Sequence, residues 1–195
     1  MRKTLPAAIV AASLFILAAI VLVLAVRGGE DDGHTSAGHN DADVAFAQQM
    51  IPHHQQAIEM TELAETRAES QEVKDLAADI EAAQGPEIET MTGWLESWGE
   101  DVPDKGMSDM DHGDMSSDEM SGMMSEEDMT DLGSASGSRF DQMFLTMMIE
   151  HHEGAIEMAQ TEQVDGQFPD ATAMAEDIET AQTEEIRTMQ ALLQS

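Results

Sequence analysis

Hydrophobic and polar positions divide the chain into three regimes. From Ala7 to Val26 every residue but Ser13 is apolar, with Arg2 and Lys3 before the run and Arg27 closing it. From about Asn40 apolar residues return every third or fourth position, the period of an amphipathic helix. Between about 100 and 137 that period gives way to Ser, Gly, Asp, Glu and Met.

The first regime is about one bilayer thickness as a helix. It exceeds the roughly 7–15 apolar residues of a cleaved signal, and Leu24-Ala25-Val26 makes a poor cleavage site. It predicts a signal anchor over 1–27, with its basic end inside and the remainder exported. The alternative is a cleaved signal peptide and a secreted domain. Either way the working part lies outside the cytoplasm, and membrane contact is through this helix only. Residues 28–40, rich in Gly, Asp, Ser and His, read as a flexible linker.

The helical regime repeats itself. Met50-Ile51-Pro52-His53-His54-Gln55-Gln56-Ala57-Ile58-Glu59-Met60 matches Met148-Ile149-Glu150-His151-His152-Glu153-Gly154-Ala155-Ile156-Glu157-Met158 at an offset of 98. The same offset aligns Ile80-Glu81, Gln84, Glu87-Ile88 and Thr90-Met91 with Ile178-Glu179, Gln182, Glu185-Ile186 and Thr188-Met189. Without a gap, 43–95 and 141–193 share 21 of 53 positions, which marks an internal duplication. Each half predicts two helices: about 41–69 and 70–98, then about 138–164 and 170–193. Two hairpins of similar length make an all-α four-helix bundle over 41–195, with repeats at about 41–98 and 138–194. Pro52 and Gly85-Pro86 fall inside helices. Their repeat partners are ordinary helix residues, so kinks are expected, not breaks.

At about 100° per residue, Phe46, Met50, His53, His54, Ala57 and Met60 share one stripe, and Phe144, Met148, His151, His152, Ala155 and Met158 share the equivalent one. On the second helix of each repeat, Glu87 and Glu185 lie in the apolar stripe beside Met91 and Met189. An inward carboxylate is costly unless paired or bound to a cation. Four His and two Glu pointing inwards look like metal ligands. The competing reading is a satisfied core, with each Glu hydrogen-bonded to a neighbouring His and Met as filler.

Composition narrows the chemistry. The chain has 40 acidic residues against eight Lys or Arg, a formal charge of −32, which argues against nucleic-acid binding. It has no Cys, which excludes disulfide scaffolds, zinc–thiolate sites and thiol nucleophiles. The acidity itself is a solubility and salt-adaptation feature. The 17 Met are more telling. Residues three before the histidines are Met or Ile, unlike the Glu-x-x-His of di-iron bundles. Thioether with imidazole suits copper, Cu(I) above all. The stretch from about 100 to 137 is expected to be a disordered, acidic insertion. Its Met107, Met110, Met115, Met120, Met123, Met124 and Met129, with His112, would have no core to fill and would form a secondary soft-metal loop. An oxidant sink is a smaller alternative.

The elements M-I-x-H-H-x-x-A-I-E-M and I-E-x-A-Q-x-x-E-I-x-T-M resemble the bacterial domain-of-unknown-function family three hundred and five, over about 41–98 and 138–194. The resemblance implies a ferritin-like four-helix fold, extracytoplasmic placement and, for CopM-like members, copper bound through Met and His. Carried over by motif, the ligands are Met50, His53, His54, Met60, Met148, His151, His152 and Met158, with Glu87, Met91, Glu185 and Met189 facing the same space. The expected role is a copper-binding protein of metal homeostasis, with a copper exporter or metallochaperone as partner and no catalytic residues. A metallo-oxidase acting on Cu(I) or Fe(II), and an acidic structural bundle without metal, are the alternatives.

Overall fold

A computed structural model describes residues 38–103 and 121–195. The predicted anchor and most of the linker lie outside the described residues. Among the described residues no helix is long and apolar enough to cross a membrane.

Five helices follow one another: α1 (Asp41–Arg67), α2 (Gln71–Trp98), α3 (Glu126–Ser134), α4 (Ser138–Asp165) and α5 (Pro169–Leu192). Four of them are the expected ones, with ends within two residues of the predicted positions. α1 starts on a capping box, in which Asn40 Oδ1 accepts from the amides of Ala42 and Asp43 while Asp43 accepts from the Asn40 amide. Ser70 caps α2 by accepting from the Val73 amide. Pro169 opens α5 at a position where a missing N–H costs nothing. α1 and α2 continue unbroken past Pro52 and Pro86.

α1 pairs with α2 and α4 with α5, and the two hairpins join chiefly through α1 against α4. A pair of aspartates at equivalent repeat positions ties them together. Asp43 at the start of α1 accepts from the amides of Gln167 and Phe168 in the α4–α5 turn, at 3.0 and 2.8 Å. Asp141 at the start of α4 accepts from Glu69 and Ser70 in the α1–α2 turn, at 3.0 and 2.9 Å. Each repeat thus caps the turn of the other.

The insertion departs from expectation at its C-terminal end. Residues 121–137 are not a disordered acidic loop, because 126–134 form α3, which lies against α1 and α4. Ser125 and Asp128 build a capping box, and Glu126, Glu127 and Asp128 place negative charge at the helix N-terminus. Leu132, Met124 and Ala135 are buried in the core, and Met129 packs against it. Met124 and Met129 are therefore explained by packing, whereas Met107, Met110, His112, Met115 and Met120 lie outside the described residues.

The apolar core forms two clusters. One joins Met60, Ala64, Val73, Ile80, Phe140, Phe144, Met148 and Met189. The other joins Phe46, Met50, Ile51, Met91, Leu95, Ala155, Ala171 and Ile178. Between these clusters in the register of α1 and α4 sit the histidine pairs.

Candidate metal centre

α1 carries His53 and His54, and α4 carries His151 and His152; all four are 0% exposed. The ring centroids of His53 and His151 are 3.7 Å apart, with planes inclined by 39°. His151 and His152 are 6.4 Å apart by the same measure. The two repeats therefore bring their imidazoles into one layer at the α1–α4 contact.

The outer nitrogens are held from outside the layer. His54 Nε2 lies 2.8 Å from Glu87 Oε2 on α2, and His152 Nε2 lies 2.7 Å from Glu185 Oε2 on α5. His53 Nε2 lies 3.2 Å from the carbonyl oxygen of Ser121. An imidazole facing a carboxylate or carbonyl oxygen donates through that nitrogen, which in the neutral ring leaves Nδ1 with a free lone pair. Nδ1 of all four histidines, and Nε2 of His151, are buried without any partner. Burial holds His53 down to about 3, and the neighbouring imidazoles add to the effect. Burial and the same neighbours hold His151 well below the usual range. These rings are neutral, the form that binds metal.

Glu87 and Glu185 do not point into the layer as inward ligands. Their side chains are 18% and 16% exposed, and each orients a histidine from the edge. A carboxylate behind a metal-binding imidazole fixes its tautomer and raises its basicity.

The methionines are distributed differently from the motif that carries them. Met50 and Met60, from one repeat, fall in opposite core clusters. The antiparallel register that sets His54 against Glu87 sets Met50 against Met91 one turn away, and likewise Met148 against Met189. The partly buried Met158 joins the side of Met50 and Met91, and Met60 joins the side of Met148 and Met189. The six repeat-matched methionines are thus divided three and three between the two clusters, each trio drawn from both repeats. Among the described residues no three His, Asp or Glu side chains are placed to hold one ion together.

Two residues went unrecognised as site residues. Gln84 and Gln182, one turn before Glu87 and Glu185, are 2% and 3% exposed and carry buried polar atoms without partners. Their identity in both repeats was the available signal. The Ser121 carbonyl had none, since a backbone contact leaves no mark in composition.

The domain-of-unknown-function family DUF305 matches residues 43–193. A DUF305 protein of Streptomyces coelicolor, described as a candidate secreted protein, is 33% identical with a TM-score of 0.69, covering 78% of this chain and 91% of that one. A DUF305 fragment from Deinococcus radiodurans is 29% identical with a TM-score of 0.69, covering 79% and 96%. CopM in its Cu(II)-bound form is 33% identical with a TM-score of 0.65, covering 78% and 95%. CopM is also solved in Cu(I)-bound, Ag-bound and apo forms. No curated protein matches the chain.

Proposed function

The chain belongs to the DUF305 family, and from that premise we propose that it is an extracytoplasmic copper-binding protein that sequesters the ion or hands it on. The observation that carries this reading is the layer of His53, His54, His151 and His152, buried with five ring nitrogens lacking any partner. A buried polar group without a partner costs about 1–3 kcal/mol, a cost that a bound cation would offset.

Copper is cargo in this proposal, and the chain is a carrier with no catalytic role. Neutral imidazoles flanked by thioethers suit Cu(I), which accepts fewer ligands than iron or calcium. Because the imidazoles do not converge as a set of three, the donor set is completed by methionine sulfur or by rotation of the rings. The CopM structures with Cu(II), Cu(I) and Ag support a soft-metal site on this fold. Met107, Met110, His112, Met115, Met120 and Met123, between the repeats in sequence, supply a secondary set. The chain hands its ion to a copper exporter or metallochaperone, and its apolar N-terminal segment anchors it. The secreted description of the Streptomyces relative supports the compartment.

The test is competitive titration of the full chain with Cu(I) against a chelator, beside a variant with all four histidines changed to Ala and its helicity checked by circular dichroism. We expect the variant to bind at least about 100-fold more weakly, the upper range for disturbing a metal site. Equal affinity in both proteins would reject the histidine layer as the destination of the ion.

A further inference from the structure

We infer that residues 121–124 form a strap that must lift before an ion reaches the histidine layer. The inference rests on the proposed function for what passes beneath the strap, but its closure is tested without metal.

Four side-chain contacts hold the strap to both repeats. The Ser121 carbonyl accepts from His53 Nε2 at 3.2 Å, and the Ser121 hydroxyl donates to Glu157 Oε2 at 2.6 Å. The Met124 amide donates to Gln56 Oε1 at 2.7 Å, and Gln56 Nε2 donates to the Met124 carbonyl at 2.8 Å. The other polar contacts of the histidines, Glu87 and Glu185, come from helices. Ser121 comes from a stretch without helix, which is held by a few partly exposed bonds and opens more readily than a packed helix.

The backbone fits too closely to be incidental. Gly122 has φ +79°, and a Cβ there would stand 2.7 Å from the Glu150 carbonyl and 3.0 Å from that of His151. A Cβ on Gly154 would stand 2.0 Å from the Ser121 carbonyl oxygen. The strap therefore lies directly on the turn of α4 that carries His151. The residue equivalent to Gly154 in the first repeat is Gln56. One repeat clears the space for Ser121, and the other supplies the hook for Met124.

Gly154→Ala is the cleanest test. Alanine favours the helix but cannot coexist with Ser121 in its present place. Gln56→Ala removes both bonds to Met124 and serves as a second variant should the first fail to fold. In the metal-free full chain, diethyl pyrocarbonate modification of His53 and His151, mapped by peptide mass, reports access to the layer. We expect modification about tenfold faster in each variant, the factor for losing roughly one net hydrogen bond, with unchanged helicity. Cu(I) uptake by stopped flow should accelerate in parallel, with the same final stoichiometry. Modification at the wild-type rate in folded variants overturns the strap. A chain that takes up no copper while the variants still react faster removes the function but leaves the strap in place.

Discussion

The imidazole of His53 lies against that of His151, its repeat counterpart, with ring centroids 3.7 Å apart and both rings shielded from solvent. Such a contact is tolerable for neutral rings and strongly unfavourable for charged ones. Two sequence-distant residues thus share one requirement: both resist protonation in the folded bundle far below the ordinary imidazole range.

Acid should therefore unfold the protein through these rings. Unfolded, they gain protons as the pH falls through about 6.5; folded, His53 does so only near 3. The unfolded chain binds more protons in that window, so stability falls with pH, by about 1.4 kcal/mol per unit for His53. His151 adds to the loss in the same direction. Urea denaturation at pH 6.5 and pH 5, in a Glu162→Gln background, measures it. A flat profile would contradict the burial of neutral rings.

Glu162 is the reason for that background. Glu162 is 1% exposed, and its carboxyl sits against that of Asp43, itself 0% exposed. With both ionised, neither oxygen of Glu162 has a donor; protonated, Glu162 can donate to Asp43. Burial, then this neighbour, pushes Glu162 up to about 8. A carboxyl raised in the folded state contributes stability that is present below about 4.5 and is lost as the pH rises through about 8. The Tm of the wild type should drop by several degrees between pH 6 and 9. In Glu162→Gln it should change much less, and equal slopes would show that the two carboxyls share no proton.

The carboxylates behind the layer should matter to affinity more than to fold. Glu87→Gln and Glu185→Gln keep the shape but remove the charge that orients His54 and His152. Cu(I) competition should show binding weakened by about 10–100-fold, with near-normal thermal stability. Unchanged affinity would mean that the orientation of these rings is irrelevant to binding.

Methionine as filler and methionine as ligand can be separated by shape-conserving replacement. Met50→Leu with Met148→Leu keeps apolar volume and should cost less than about 1.5 kcal/mol per site. If sulfur completes the donor set, Cu(I) affinity nonetheless falls at least about tenfold, which corresponds to 1.4 kcal/mol. Retained affinity in a folded double variant would assign both residues to packing.

Removing a reciprocal cap should loosen the bundle without touching the layer. Asp141→Ala deprives the Glu69 and Ser70 amides of their acceptor, at a cost of about 1–2 kcal/mol. Chemical denaturation reads the loss, and copper stoichiometry should not change.

Much of this was legible in the sequence because repetition doubled each signal. The duplication and the helical period together dictated two hairpins, while Asn40 marked the start of α1 and Gly166 and Pro169 the break between α4 and α5. The inward direction of His53 and His151 followed from the angular position of each on its helix. Where the methionines go did not follow, because that depends on the antiparallel crossing of α1 and α4. A motif read along one helix cannot show that Met50 and Met60 face different ends of the core. α3 was missed because acidic, Ser-rich composition outweighed one capping box and a single Leu132, whose burial depends on surfaces supplied by α1 and α4. The angular position of Glu87 placed it in the stripe, but the length of its side chain let the carboxylate reach His54 from the edge.

The reciprocal caps of Asp43 and Asp141 have a consequence for assembly. A hairpin standing alone would present both an unsatisfied turn and the aspartate that satisfies such a turn, on surfaces that its own chain cannot bring together. A second identical hairpin would answer both at once, with each copy's acceptor meeting the other's donors about a two-fold axis. The bundle is in this sense an isologous dimer fused into a single polypeptide. Covalent linkage leaves its halves free to differ, as they do where Gln56 stands opposite its counterpart Gly154.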